Sequence, residues 1–109
     1  MDWINLTTEE DFAALLKKSY ERPQLIFKHS IRCSVSSVIK TRLEGGKAPS
    51  DIDFYYLDLI NYRQLSDKVS EVLEVYHESP QVLLIRDGKC IYDESHIAIR
   101  MKDIEAEAM

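Results

Sequence analysis

Residues 25–36 read LIFKHSIRCSVS, and this stretch decides the predicted fold. Its first three residues are an apolar run typical of a buried strand. A short polar turn follows, and Cys33 stands where a helix begins. The apolar spacing of that helix is set by Val35, Val38, Ile39 and Leu43. Unpaired N–H groups and the positive end of the helix dipole lie near such a sulfur, and Arg32 adds a positive charge. We therefore predict a reactive thiolate at Cys33.

Ser36 follows Cys33 at the spacing of a Cys-x-x-Cys redox motif, but it supplies no second thiol. A mixed disulfide at Cys33 must therefore be cleared by an outside thiol or by a more distant cysteine. The Ser36 hydroxyl either hydrogen-bonds the thiolate or belongs to an ordinary first helical turn. Cys33 itself has a competing interpretation as a buried, inert cysteine.

Length and composition indicate a single domain over residues 1–109, with 45% hydrophobic and 30% charged residues. The net charge of −5 disfavours nucleic-acid and membrane partners. The N-terminus has no signal-peptide pattern, so we expect a cytoplasmic protein with reduced thiols. Two cysteines are too few for a disulfide scaffold, and no Cys/His cluster suggests a metal site.

Residues 3–6 predict a short edge strand before the central unit. Thr7 and Glu10 fit a capping box for a first helix, which should stop before Pro23. Gly45-Gly46 should end the second helix by adopting left-handed backbone angles.

A third strand is predicted over residues 52–58, and Asn61 with Gln64 can cap the helix after it. The buried stripe of that helix is predicted at Leu65, Val69, Val72, Leu73 and Tyr76.

Pro80 precedes the apolar strand 81–85, and Asp87-Gly88 predicts a hairpin to a returning strand. Ser95 can cap a last helix. The apolar side of that helix is predicted at Ile97, Met101, Ile104 and Ala108. The order of elements indicates an α/β protein in three layers: a mixed four- to five-stranded sheet with helices on both faces. Parallel pairing is expected around Cys33.

Three stretches carry a resemblance to a known family: Phe27-Lys28-His29-Ser30 before Cys33, then HESPQVLLI at 77–85, then residues 87–96. With them the chain resembles the YtxJ-like family of bacillithiol-system proteins, the monothiol bacilliredoxins, which are thioredoxin-like. The family motif reads Thr-Cys-Pro-Ile-Ser, whereas residues 32–36 here read RCSVS. Arg32 either suits an anionic thiol such as bacillithiol or is a solvated surface charge.

The resemblance implies a thiol–disulfide oxidoreductase that removes bacillithiol from S-thiolated client proteins, with Cys33 as nucleophile. Bacillithiol would be the co-substrate, with no tightly bound cofactor, and we expect a monomer or weak homodimer. The resemblance also implies that the peptide bond before Pro80 is cis and that Pro80 lies against the cysteine. The backbone of Ser79 could then receive a client chain as an added strand. His29 could assist proton transfer, or it could be structural.

Cys90, His77 and His96 lie outside the stretch around Cys33. Cys90 is either a small buried hydrophobe or a distal resolving thiol. We expect His77 and His96 to cap or hydrogen-bond locally.

Two other functions compete with that of a thiol–disulfide oxidoreductase. The first is an iron–sulfur carrier of the monothiol glutaredoxin type, although Ser34-Val35 lacks the glycine of Cys-Gly-Phe-Ser. The second is a non-catalytic thioredoxin-fold adaptor.

Overall fold

The apolar strands and amphipathic helices of the sequence assemble around one sheet in a computed structural model that describes residues 1–109. The elements follow the predicted order until the last helix. They are β1 (Ile4–Asn5), α1 (Glu9–Lys18), β2 (Gln24–His29), α2 (Ser34–Gly45), β3 (Asp53–Asp58), α3 (Arg63–Leu73), β4 (Gln81–Arg86), β5 (Lys89–Ser95), a 3₁₀-helix (His96–Ala98) and α4 (Met101–Ala108).

The five strands stand in the order β1-β3-β2-β4-β5, with β2 at the centre. Strands β1 and β2 both pair with β3 in parallel, as the crossover through α2 predicts. Strand β4 is antiparallel to β2, and β5 returns from it as a hairpin. The predicted mixed α/β sheet is therefore confirmed.

Apolar residues pack into two clusters, one on each face of the sheet. Helices α1 and α3 cover one face, where Leu15 and Val69 join Ile26 of β2. Helices α2 and α4 cover the other, where Ile39 and Ile104 pack against Phe27. Because both faces are covered, all six residues of β2 are buried. No helix is both long enough and apolar enough to span a membrane.

Both predicted capping boxes are wrong in detail. The Leu6 N–H still bonds the sheet at the Tyr56 carbonyl, so α1 begins one residue later than predicted, with Thr8 as its N-cap. The Thr8 hydroxyl accepts from the Asp11 N–H at 3.0 Å. Before α3, the side-chain amide of Asn61 donates to Asp58 at 2.7 Å, and Tyr62 takes the N-cap position.

Helix α2 buries a different face from the one predicted. Ile39 and Leu43 are fully buried as expected, but Val38 is 58% exposed and Val35 is exposed as well. Ser36 is buried instead, because its hydroxyl has hydrogen-bond partners beneath the helix. The helix also ends without a left-handed glycine, since Gly46 has φ −91°.

The third and last helices are shorter than predicted. Helix α3 ends at Leu73, because Glu74 turns left-handed at φ 56° and closes the last turn. Tyr76 therefore lies beyond the helix and is 88% exposed. The last helix is split by a break that buries Ile99 and leaves Ile97 70% exposed, and Ser95 makes no side-chain cap.

Candidate active site

Cys33 lies at the carboxyl end of β2, as the N-cap residue of α2. Its thiol is partly exposed and makes no capping hydrogen bond to the helix. The Cys33 N–H donates to the Ser30 carbonyl at 3.1 Å, and the Cys33 carbonyl accepts from the Ser37 N–H at 3.2 Å. A closed turn thus presents the sulfur beyond the carboxyl end of the central strand, where Cys33 is partly exposed.

Ser36 binds the turn that carries Cys33 rather than the sulfur itself. Its hydroxyl accepts from the Ser30 N–H at 3.1 Å, and it lies 2.7 Å from Nδ1 of His29. Both contacts are buried or partly buried, and no hydrogen bond joins Ser36 to Cys33. Ser36 is therefore more than an ordinary first-turn residue, because it links α2 to the end of β2.

His29 is buried beneath this turn, with its ring 5.6 Å from Phe27 and 5.5 Å from Tyr56. Burial lowers the pKa of His29, and the positive charge of Lys40 lowers it further, while Asp58 opposes the shift. The imidazole is therefore neutral at pH 7. The neutral ring contacts the Ser36 hydroxyl and so helps to hold the start of α2 against the end of β2. A part for His29 in proton transfer stays a prediction.

Ser79 and Pro80 enter the sheet directly before β4. The peptide bond between them is cis, Pro80 is buried, and Ser79 is half-buried. The Ser79 hydroxyl is buried without a hydrogen-bond partner. The β2–β4 ladder pairs Lys28 with Gln81. One further step of this antiparallel register brings Pro80 opposite His29, at the end of β2 where the Cys33 turn begins.

The surface on the chain next to Cys33 is apolar and positive. Ile31 is 64% exposed, and Val35 is also exposed. Arg32 is exposed and forms none of the ion pairs of the structure. These side chains are free to meet a protein or a small anion.

Cys90 lies far from Cys33 in the fold. It pairs with Ile85 near the hairpin turn, at the opposite end of β4 from Pro80, and it packs against the α1/α3 face. Its thiol donates to the Tyr92 carbonyl at 3.3 Å. Burial raises the pKa of Cys90 to about 11, so it remains a thiol at neutral pH. The geometry favours the prediction of a small buried hydrophobe over that of a resolving thiol.

The prediction that His77 and His96 bond locally is wrong. His77 Nδ1 lies 3.2 Å from Nζ of Lys28, which is fully buried on the α3 side of β2. His96 Nε2 lies 2.9 Å from a carboxylate oxygen of Glu78. Lys28 belongs to none of the predicted site residues, although a lysine inside a central buried strand is a signal visible in the sequence.

Comparison with known proteins agrees with this geometry. A protein with a thioredoxin fold is 24% identical, with a TM-score of 0.85 over 97% of this chain and 93% of that one. Fasciola hepatica thioredoxin is 21% identical, with a TM-score of 0.75 over 94% of each chain. Mitochondrial thioredoxin 3 from Saccharomyces cerevisiae in its oxidized form is 17% identical, with a TM-score of 0.75 over 97% of this chain and 92% of that one.

These likenesses show a thioredoxin fold, and a family match is more specific. The model of the family described as monothiol bacilliredoxin BrxC matches residues 4–104, which include the Cys33 turn and the Ser79-Pro80 segment. Family and fold together support a function in thiol redox chemistry. The chain belongs to the monothiol bacilliredoxin family.

Proposed function

We propose that this protein is a monothiol oxidoreductase that removes bacillithiol from S-thiolated cysteines of client proteins, with Cys33 as the nucleophile. The observation that carries the proposal is the position of Cys33: partly exposed at a helix start, in the turn that follows His29, and without a nearby second thiol. The β2–β4 register brings Pro80 opposite His29, where this turn begins. A reducing compartment that contains free bacillithiol would sustain the cycle, and we propose the cytoplasm.

In the first step, the Cys33 thiolate attacks the bacillithiol sulfur of the client's mixed disulfide. The S–S bond to the client breaks, and the client leaves as a thiolate that takes a proton from solvent. Cys33 now carries bacillithiol in a new mixed disulfide. The attacking sulfur stands at the N-terminus of α2, and the Arg32 next to it forms no ion pair, so positive charge lies on the side from which an anionic thiol would approach.

In the second step, a free bacillithiol thiolate attacks the bacillithiol sulfur bound to Cys33. The bond between that sulfur and Cys33 breaks. The two bacillithiol groups leave together as the symmetric disulfide, and Cys33 is restored as a thiolate. An external thiol is required because Ser36 has no sulfur and Cys90 lies at the other end of the sheet on the opposite face.

Client and small thiol would bind different parts of this site. Ser79 would offer backbone groups to an extended client segment, as in strand addition. The exposed apolar side chains of Ile31 and Val35 would contact the client on the other side of the sulfur. Arg32, which has no ion pair, would meet a carboxylate of bacillithiol.

The test is turnover of a client peptide whose single cysteine carries bacillithiol, with the released peptide thiol as readout. We expect turnover with free bacillithiol for the native protein and none for Cys33→Ser. Cys90→Ala is the matched control, because it also leaves one cysteine, and it should retain turnover. Full activity of Cys33→Ser, or inactivity of the native protein, would contradict the proposal.

A further inference from the structure

Lys28 is a fully buried cation next to the site, on a face of the sheet that the proposed chemistry does not use. Its Nζ lies 3.1 Å from the Ser66 carbonyl, 2.6 Å from the Ser70 hydroxyl and 3.2 Å from Nδ1 of His77. An ammonium group has three N–H donors, and each has one acceptor here. Two of these acceptors belong to α3, and the third belongs to the segment that leads to Pro80.

The amine is buried without a carboxylate in contact. None of the ion pairs of the structure includes Lys28, and Asp67 on α3 acts on it only through its field. Burial lowers the pKa of Lys28 to about 8. His77 in turn faces Arg63, Asp67 and Glu78, and its own pKa is lowered by burial and then by Lys28. Burying a charged amine costs solvation free energy, so the three hydrogen bonds of Lys28 are needed to stabilise it in this position.

A second buried side chain holds the same segment. Gln81 pairs with Lys28 across the β2–β4 ladder, so both side chains leave the sheet on the same face. Its amide donates to the Tyr76 carbonyl at 2.9 Å. Residues 76–80 are thus hydrogen-bonded to side chains of the sheet at Tyr76 and His77. Only Glu78 separates these contacts from Ser79 and Pro80.

Successive residues of β2 reach opposite faces of the sheet. His29 binds Ser36 of α2 below the Cys33 turn, while Lys28 binds His77 before the cis-proline segment. We propose that Lys28 is a positioning residue, whose buried ammonium group holds residues 77–80 in the orientation that receives the client chain. This inference rests on the proposed function, and it specifies which contact keeps the client-binding segment, residues 77–80, in place.

The first test separates binding from chemistry by turnover of the bacillithiolated peptide. Lys28→Met should raise KM about tenfold, the equivalent of one charge-assisted hydrogen bond, and leave kcat within about twofold. Lys28→Arg keeps the positive charge but not the shape of the ammonium group, and in this fully buried site it should restore the affinity only in part. Lys89→Met, at an exposed lysine of β5, is the control and should match the native protein. An unchanged KM in Lys28→Met, or a loss confined to kcat, would overturn the proposal.

Variants of His77 keep the test decisive if a change at Lys28 prevents folding. His77→Leu removes the acceptor and should raise KM as Lys28→Met does, whereas His77→Asn retains an acceptor and should raise it less. The double variant of Lys28→Met and His77→Leu should be no worse than either single variant, because both remove one contact. Additive losses would show that the two residues act independently and would overturn the inference.

The third test needs no turnover. In the native protein, the carbon NMR shifts of the Ser79 carbonyl and the His77 ring should change with pH as Lys28 titrates, near pH 8. In Lys28→Met this change should vanish. Its presence in both proteins would overturn the positioning role even if the peptide is turned over. If the native protein does not turn the peptide over, the proposed function fails while this test still decides the contact.

Discussion

Replacing Lys28 with methionine should change how stability depends on pH. In the folded protein, burial lowers the pKa of Lys28 from 10.5 to about 8, partly offset by Asp67. In the unfolded chain the amine is solvated and keeps its proton up to the ordinary value. Between those two values the unfolded state binds more protons than the folded state, so raising the pH stabilises the native protein. Lys28→Met has no amine at this position and lacks this contribution.

The size of the effect follows from the two pKa values. Each unit of pKa difference corresponds to about 1.4 kcal/mol. Integrated between about pH 7 and about pH 9.5, the difference in bound protons stabilises the native protein, relative to Lys28→Met, by up to about 2 kcal/mol. For a urea slope of ~2 kcal/mol per molar, the two unfolding midpoints would move relative to each other by about 1 M.

Urea unfolding of both proteins across this pH range measures the effect as a difference. Titrations that Lys28 does not influence cancel in this difference. The raised pKa of Cys90, for instance, destabilises both proteins equally as the pH rises through the ionisation of the unfolded thiol. His77, whose pKa Lys28 helps to lower, has its pKa lowered first by burial and takes little part above pH 7. The informative quantity is the slope with pH, because the absolute difference at one pH also includes the acceptors left unpaired in the variant. A difference that stays constant with pH would refute the reasoning.

Three further predictions concern single side chains. Ser36→Ala leaves His29 and a turn N–H without a partner and should lower the free energy of unfolding by about 1–3 kcal/mol in urea, whereas Ser37→Ala on the exposed side of the same turn should change it little. Cys90→Ala should retain turnover of a thiolated peptide, and a loss above about tenfold would show that this thiol takes part. Gly88→Ala should cost about 1 kcal/mol in thermal unfolding, because Gly88 has φ 75° in the hairpin turn, and an unchanged midpoint would contradict this.

The order of elements and the place of Cys33 could be derived from the sequence alone. A short apolar run such as Leu25–Phe27, between a proline and a polar turn, favours a buried strand. Asp87-Gly88 permits the tight turn that makes β4 and β5 antiparallel. The crossover through α2 requires parallel pairing of β2 and β3. Local chemistry and chain connectivity determine these features, which is why Cys33 was correctly predicted at the start of a helix.

The tertiary structure decided which polar groups are buried. These groups in turn set where the helices begin and which face each helix buries. Periodicity assigned Val35 and Val38 to the core, but the hydroxyl of Ser36 finds partners under α2, and the helix turns that side inward. The start of α1 moved by one residue because a sheet hydrogen bond reaches Leu6. The partner of Leu6 lies in another strand, and the partners of Ser36 meet it only because the Cys33 turn folds α2 back onto the end of β2. Helix propensity cannot locate either contact.

The same limit explains why Lys28 and His77 did not stand out together. They are 49 residues apart, and only the pairing of β2 with β4 and the packing of α3 bring the amine to the imidazole. The sequence by itself determined the fold class and the position of Cys33 at a helix start, because these follow from apolar patterning and local geometry. The contact between Lys28 and His77 was decided by the tertiary structure, because a buried charge takes its partners from whatever the fold packs around it.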